Sequence, residues 1–429
     1  MTPDQPSEPA STRGRWRVAR LLDAPHRLCF FWAGVNWAAA AVWWAAHLLT
    51  DATYAPGRSW PWQVSPAAAH GLWFTLGAMP LFIAGFMFTA GPKWLRRPPV
   101  LARELRRPVA AFNVGWVVAV AGFHLSPTLA AAGLALVAPG WGALSWRITR
   151  LVSGSTQNDR LHAWLIVWAS SLLVVCLGVA SLALACGRPD WLSTVSRVAL
   201  WGGVTLVFLA ASHRLLPFLG AGTWPALDAR WPDWPLWVVV SVPVVRGAGA
   251  AVSGWQLQTL PHGWRALEAG HLAAVATLCL WIALRCTRQR ALRQPLVAML
   301  FGAFMWWDVA LWLGAAARWP GLATGTAQAL DLAALHALTM GYLGGTMLVM
   351  VTRVSSTHSG RPQAMDRVAR ALYALLQVAA VMRLYGALEP TGSAMWLRWA
   401  GAAWLGVALV WAIRHGRWLG LPRVDGRPG

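Results

Sequence analysis

The feature that most constrains this chain is a series of apolar stretches, each about twenty residues long, that recur along its whole length. A segment of that length spans the hydrocarbon core of a bilayer as an α-helix. The chain is 57% hydrophobic and only 12% charged, which is half the charged share of an ordinary soluble domain. The sequence predicts an all-α polytopic membrane protein, a bundle of about twelve transmembrane helices. The predicted spans are 28–50, 68–90, 109–126, 128–148, 162–186, 197–219, 234–252, 267–285, 295–317, 326–352, 367–386 and 394–414.

The charge pattern orients this bundle. A net charge of +21 would suggest a nucleic-acid partner in a soluble chain, but here the basic residues concentrate in alternate connections. "GPKWLRRPPVLARELRRP" follows the second predicted span and "RCTRQRALRQ" follows the eighth. With the N-terminus inside, most of the 36 Lys and Arg residues fall on the inner side. The positive-inside rule therefore predicts that both termini are cytoplasmic, with the lipid bilayer as partner and no nucleic acid.

The sequence predicts no separate soluble domain. Residues 1–27 are interpreted as a flexible basic cytoplasmic tail, because they lack the apolar core and cleavage site of a signal peptide. Residues 28–414 form the predicted transmembrane domain, and residues 415–429 a short cytoplasmic tail. The five cysteines are scattered, without the spacing of a disulfide framework or a Cys-x-x-Cys metal site.

The histidines point to function once the orientation is set. More than half of the eleven fall in the predicted outer half: His47, His70, His124, His262, His271 and His336. His336 lies ten residues inside its span, about 15 Å deep at the helical rise. An ionisable group at that depth is costly and marks a functional site by default. Several imidazoles at one level on different helices can hold haem or a transition metal.

Other polar residues within the spans leave a second hypothesis open. Asp308 is predicted either to pair with Arg246 as a buried ion pair or to relay protons, and Asp331 begins a later span. These three residues would serve a proton-coupled secondary transporter, although no internal repeat is evident. Glu268 lies three residues before His271, a spacing at which its carboxylate would accept the imidazole N–H. No soluble-enzyme motif competes, and no two adjacent histidines supply the copper ligands of a haem–copper oxidase.

Two blocks of the sequence carry a family resemblance. The stretch "HALTMGYLGGTMLVMVTRVSSTHSGRP" begins at His336, and "HGLWFTLGAMPLFIAGFMFTAGPKW" begins at His70. A third, shorter match is "SHRLLPFLG". Together they resemble the NnrS family of bacterial inner-membrane proteins. The matching positions are His70, Gly85, Phe86, Thr89, Ala90, Pro92, Trp94, Arg214, Pro217, Phe218, His336, Ala337, Thr352, Arg353, His358, Gly360, Arg361 and Pro362.

The resemblance implies a twelve-helix haem- and copper-containing protein of the response to nitric oxide and nitrosative stress. It implies that His70 and His336 bind the haem or metal, with His271 and His47 next and His124 as a further metal ligand. Nitric oxide or a related small molecule would be the ligand, and the sequence leaves open whether the protein is an enzyme, a scavenger or a sensor. Many members carry a histidine where this chain has Phe301, which removes one candidate ligand for copper.

Overall fold

Long helices account for almost all of the described chain. The computed structural model describes residues 14–53, 61–220, 232–255, 261–286, 290–361, 365–389 and 392–426, and within them no strand occurs. Twelve helices are long and apolar enough to cross a membrane, which confirms the predicted number of spans. They are α1 Pro25–Thr50, α2 Pro66–Trp94, α3 Ala102–Leu125, α4 Pro127–Ser153, α5 Leu161–Ala185, α6 Trp191–Leu215, α7 Trp234–Ser253, α8 His262–Arg285, α9 Pro295–Ala316, α10 Thr324–His358, α11 Arg367–Leu388 and α12 Ser393–Gly420.

Several helices extend beyond their predicted spans at the face where the chain is most basic. α2 continues to Trp94, α3 begins at Ala102, α10 continues to His358 and α12 continues to Gly420. A span predicted from hydropathy ends at the first charged residues. The helix itself continues, because its backbone hydrogen bonds extend into the polar headgroup region. Of the predicted N-terminal tail, residues 1–13 lie outside the described residues, and a short 3₁₀ helix precedes α1 at Val18–Leu22.

The two ends of the chain meet on one face of the bundle. The backbone N–H of Arg17 donates to the carbonyl of Gly420 at 3.0 Å. The buried Arg27 guanidinium donates to the carbonyls of Leu419 and Leu421 at 2.8 and 2.9 Å. α1 packs against both α12 and α2, which closes the bundle. We call the face that carries both chain ends the terminal face and the opposite face the distal face.

Small residues let neighbouring helices approach at backbone distance. α3 and α4 form an antiparallel pair whose contact includes Gly122 and Gly133. A Cβ atom on Gly122 would lie 2.1 Å from the backbone nitrogen of Ala130, and one on Gly133 would lie 2.3 Å from that of Ala119. Close packing of this kind replaces the hydrophobic effect, which does not act between helices in lipid.

At the terminal face, α11 begins with a side-chain cap. Asp366 accepts a hydrogen bond from the backbone N–H of Ala369 at 2.9 Å, which satisfies one of the free donors of the first turn. Arg414 of α12 donates to the same carboxylate at 3.0 Å. The Arg414 hydrogen bond holds the pKa of the Asp366 carboxyl below its ordinary value. The pair fastens α11 to α12 where both leave the bundle.

Candidate metal centre

His70 lies in the first turns of α2, in the distal half, against aromatic rings. Its imidazole stacks on Trp44 of α1, with ring centroids 4.1 Å apart and an interplanar angle of 28°. Phe74 lies one turn along α2, at 4.6 Å. The Nδ1 atom of His70 is buried and has no hydrogen-bond partner among the described residues. A buried nitrogen without a partner costs stability, so this imidazole is a candidate for an external ligand.

His336 of α10 has one ring nitrogen fixed by its own helix. Nδ1 lies 2.9 Å from the carbonyl oxygen of Leu332, and because a carbonyl only accepts, Nδ1 carries the proton. Nε2 is therefore the lone-pair nitrogen, the arrangement that metal-binding histidines adopt. The side chain is half-buried. It lies within electrostatic range of His70.

His47 and His124 extend the aromatic cluster along the distal face. His47 contacts Trp44 at 5.0 Å and Trp62 at 5.1 Å, and Trp62 contacts His124 at 4.4 Å. The Trp43 indole N–H donates to Nε2 of His124 at 2.8 Å.

The second ring nitrogen of His124 is engaged as well. Its Nδ1 lies 2.9 Å from the Pro61 carbonyl. In this arrangement neither nitrogen of His124 is left for a metal, whereas His47 lies within electrostatic range of His70.

Both main candidate histidines lie beside π-helical turns, which the sequence did not predict. α2 contains a π-helical turn at Phe74–Ala78, one turn after His70, and α10 contains one at Ala337–Gly344, directly after His336. A third lies in α6 at Ala199–Thr205. A π-helical turn inserts an extra residue into the helix and turns the following side chains to a new face, and such turns are frequent at functional sites.

The two glycines of "GYLGG" are used for helix packing. A Cβ atom on Gly341 would lie 2.3 Å from the ring of Trp306, and one on Gly345 would lie 3.1 Å from Ala303. Both neighbours belong to α9. Of the two uses that the sequence allows, a close helix or a flat cofactor, these positions serve the helix contact.

His271 of α8 lies apart from the other candidates. Its Nε2 is 3.1 Å from the hydroxyl of Ser241 on α7. Within the described ranges, no hydrogen bond or ring contact joins it to His70 or His336. The expected Glu268–His271 hydrogen bond is wrong, because the Glu268 carboxylate is held by arginines.

Those arginines form a buried charge cluster near the distal face. Arg246 donates to Glu268 at 2.8 Å and to Asp331 at 3.0 Å, and Arg318 lies at the same distances from the same two carboxylates. The predicted Asp308–Arg246 ion pair is therefore wrong. Arg246 satisfies its guanidinium on α8 and α10, and the Asp308 Oδ1 is buried without a partner among the described residues.

Arg383 of α11 is a second unusual charge in the distal half. It interacts electrostatically with both His70 and His336. No carboxylate lies within ion-pair distance of it in the part of the chain that the structure describes. No sequence pattern singles out Arg383, because an arginine near the end of a span is ordinary.

A large cavity opens at the terminal face, between the ends of α2, α5, α6 and α10. Its volume is about 1070 Å³. His162 and His213 line it and bond to each other, Nε2 to Nδ1, at 2.9 Å. His358 also lines it, and its ring lies tilted against that of His26, with centroids 4.4 Å apart. The basic residues of the lining are Lys93, Arg160, Arg214 and Arg353, and the acidic ones are Asp159 and Asp233.

Comparison with known families decides the identity. The family described as NnrS protein matches residues 20–423, nearly the whole chain. The chain belongs to the NnrS family. A comparison with curated proteins found no match.

The NnrS motifs divide between the two faces. His70 and His336 begin the two long motifs and lie in the distal half. The residues that end those motifs, with one from the short motif, line the terminal cavity: Phe86, Thr89, Ala90, Trp94, Arg214, Arg353 and His358. The distal histidines stand out in the sequence by their depth in the spans. The cavity does not, although the motif endings that line it could have indicated it.

The described side chains do not form a site that could hold a metal ion with protein ligands alone. Among them, no three His, Cys, Asp or Glu side chains lie close enough together to hold a metal ion. A haem iron needs only one or two protein ligands, which the distal histidines can supply.

Proposed function

We propose that this NnrS protein is a haem protein of the bacterial cytoplasmic membrane that takes part in the response to nitric oxide. His70 and His336 are the residues we assign to the haem iron, with His47 beside them. The observation that carries the proposal is the pair of distal imidazoles. They lie within electrostatic range of each other, and among the described residues each has a ring nitrogen with no hydrogen-bond partner.

The surroundings of the pair suit an iron porphyrin. Trp44 and Phe74 supply flat apolar surface beside His70. The Leu332 carbonyl orients the His336 ring and raises the basicity of its Nε2. A bound haem would supply an iron that binds nitric oxide, and the buried surroundings would tune its potential.

The orientation in the membrane is part of the proposal. The basic connections lie at the terminal face, so the positive-inside rule places that face in the cytoplasm. The distal histidines would then lie in the outer half of the bilayer.

Copper has less support than haem. A copper site would need several thiolate, thioether or imidazole ligands close together. Among the described residues, no three His, Cys, Asp or Glu side chains form such a group. His124 has both nitrogens engaged and His271 is bonded to Ser241.

A secondary transporter is the second candidate, and Asp308 is the observation that favours it. A buried carboxyl with an unpartnered oxygen in the middle of a span is a feature of proton pathways. Arg246 and Asp331, the other two residues of that hypothesis, are instead held in the closed charge cluster. A colourless preparation that moves a solute into proteoliposomes would favour transport.

The test is an optical spectrum of the purified protein. We expect a Soret band in the native chain and loss of most of it in His70→Ala and His336→Ala. Adding free imidazole should restore part of the band, because the small ligand fills the space that the side chain left.

His213→Ala is the matched control. It removes a buried imidazole from the terminal cavity, and we expect the full haem content. Native protein without haem, or full haem in both distal variants, would contradict the proposal. Loss of haem only in His213→Ala would place the iron at the terminal face.

A further inference from the structure

Arg383 is placed to project into the bundle. Leu372, Leu376, Ala379 and Ala380 form the buried face of α11. Arg383 follows Ala379 by four residues and Ala380 by three, so it continues the same face. Both alanines are fully buried, so this face of α11 is turned toward the other helices.

No carboxylate of the described residues balances the charge of Arg383. The distal charge cluster uses Arg246 and Arg318 for its two carboxylates. The groups that interact with Arg383 are imidazoles, His70 and His336, which supply no negative charge. An arginine remains protonated in proteins, so it cannot avoid the cost by losing a proton.

A carboxylate from outside the chain would satisfy this arginine. The planar guanidinium forks two N–H groups toward one carboxylate, and such charge-assisted bonds are about twice as strong as neutral ones. A haem carries two propionate carboxylates on the edge of an otherwise apolar ring.

We propose that Arg383 binds a propionate of the haem whose iron is held by His70 and His336, an inference that rests on the proposed function. The residues at the terminal face that also match family motifs, Arg353 and Arg361, are on the opposite side of the bundle and cannot serve a distal haem. The rival explanation is an arginine that extends its side chain to the lipid headgroups.

Iron protoporphyrin IX and its dimethyl ester separate these explanations, because the ester has no carboxylates. Both would be titrated into protein purified from haem-depleted cells, using the native chain, Arg383→Gln, Arg383→Lys and Arg398→Gln. Arg398 is an exposed arginine at the start of α12, so its variant makes the same chemical change away from the site.

We expect Arg383→Gln to lose about 10- to 100-fold in affinity for the diacid, the loss expected for a charge-assisted hydrogen bond. Its affinity for the ester should equal that of the native chain. Arg383→Lys should recover part of the loss, and Arg398→Gln should match the native chain. Haem-free Arg383→Gln should also melt at a higher temperature than the haem-free native chain, because an unbalanced charge is gone.

An equal preference for diacid over ester in the native chain and in Arg383→Gln would overturn the role of Arg383 and leave the haem proposal intact. Binding of neither porphyrin to the native chain would overturn both.

Discussion

The histidines of the distal half differ in how many of their ring nitrogens form hydrogen bonds with the described residues. His124 uses both ring nitrogens, on Trp43 and Pro61. His336 uses one, on Leu332, and Nδ1 of His70 has no hydrogen-bond partner in the described part of the chain. A metal ligand needs a lone pair that the protein has not already bonded. This criterion ranks His70 and His336 above His124.

The second residue-level prediction concerns Glu268 and the stability of the fold. Glu268→Gln leaves Arg246 and Arg318 facing an amide in a buried site, and breaking such a pair costs about 3–5 kcal/mol. We therefore expect a clearly lower melting temperature in detergent.

The control for Glu268→Gln is Asp190→Asn. Asp190 pairs with Arg188 in full exposure to solvent, where an ion pair contributes little. We expect an unchanged melting temperature for this variant. A native-like melt for Glu268→Gln would show that the charge cluster does not stabilise the fold.

For single residues, the sequence indicates how deep a polar side chain lies in the membrane, but not which residue it pairs with. The apolar surroundings of His336 were sufficient to mark it. From the sequence alone, Arg246 could pair with Glu268, Asp308 or Asp331. Only the arrangement of α7, α8 and α10 shows that Glu268 and Asp331 are its partners. Arg383 was missed for the same reason, because only the fold shows that none of the described carboxylates lies within ion-pair distance of it.

At the scale of helices, the site depends on how α10 passes its neighbours. Its π-helical turn begins directly after His336 and contains Gly341, which touches Trp306 of α9. The glycine contact fixes the height of α10 against α9, and the turn moves the side chains that follow His336 to a new face of the helix. Apolar periodicity predicts that a helix is present, but it does not reveal a local change of helical pitch.

Gly341→Ala tests this contact. The new Cβ atom would lie 2.3 to 2.6 Å from the ring and stem of Trp306, where a rigid side chain cannot move away. Overpacking of this kind costs about 1–3 kcal/mol, so we expect a lower melting temperature and less bound haem.

Gly178→Ala provides the control for this prediction. A Cβ atom on Gly178, in the interior of α5, would have no heavy atom within 4 Å. Alanine there should leave stability equal or slightly raised. Equal behaviour of the two variants would contradict the packing role of Gly341.

At the scale of the whole molecule, the two faces differ in composition. The terminal face carries both chain ends, the basic connections and the large cavity. The distal face carries the histidine cluster and the closed charge cluster. The number of helices and the common side of the termini could be predicted from hydropathy and charge, because length and Lys/Arg bias act locally. The cavity could not, because four separate helix ends form it.

Cysteine labelling tests the orientation of these faces. Cys186 is exposed at the distal end of α5, while Cys29, Cys176 and Cys279 are buried. In a variant that keeps only Cys186, we expect a membrane-impermeant maleimide to label spheroplasts and not sealed inside-out vesicles. Arg103→Cys, at the terminal face, should show the opposite pattern. A reversed result would place the distal histidines in the cytoplasmic half.

An electron cryo-microscopy map of the protein purified from haem-replete cells tests the central claim most directly, because it would locate the iron of a bound haem. We predict porphyrin density in the distal half, with the iron within bonding distance of a ring nitrogen of His70 or His336. Porphyrin density in the terminal cavity beside His162 and His213, or a map of pigmented protein with no density near either distal imidazole, would contradict it.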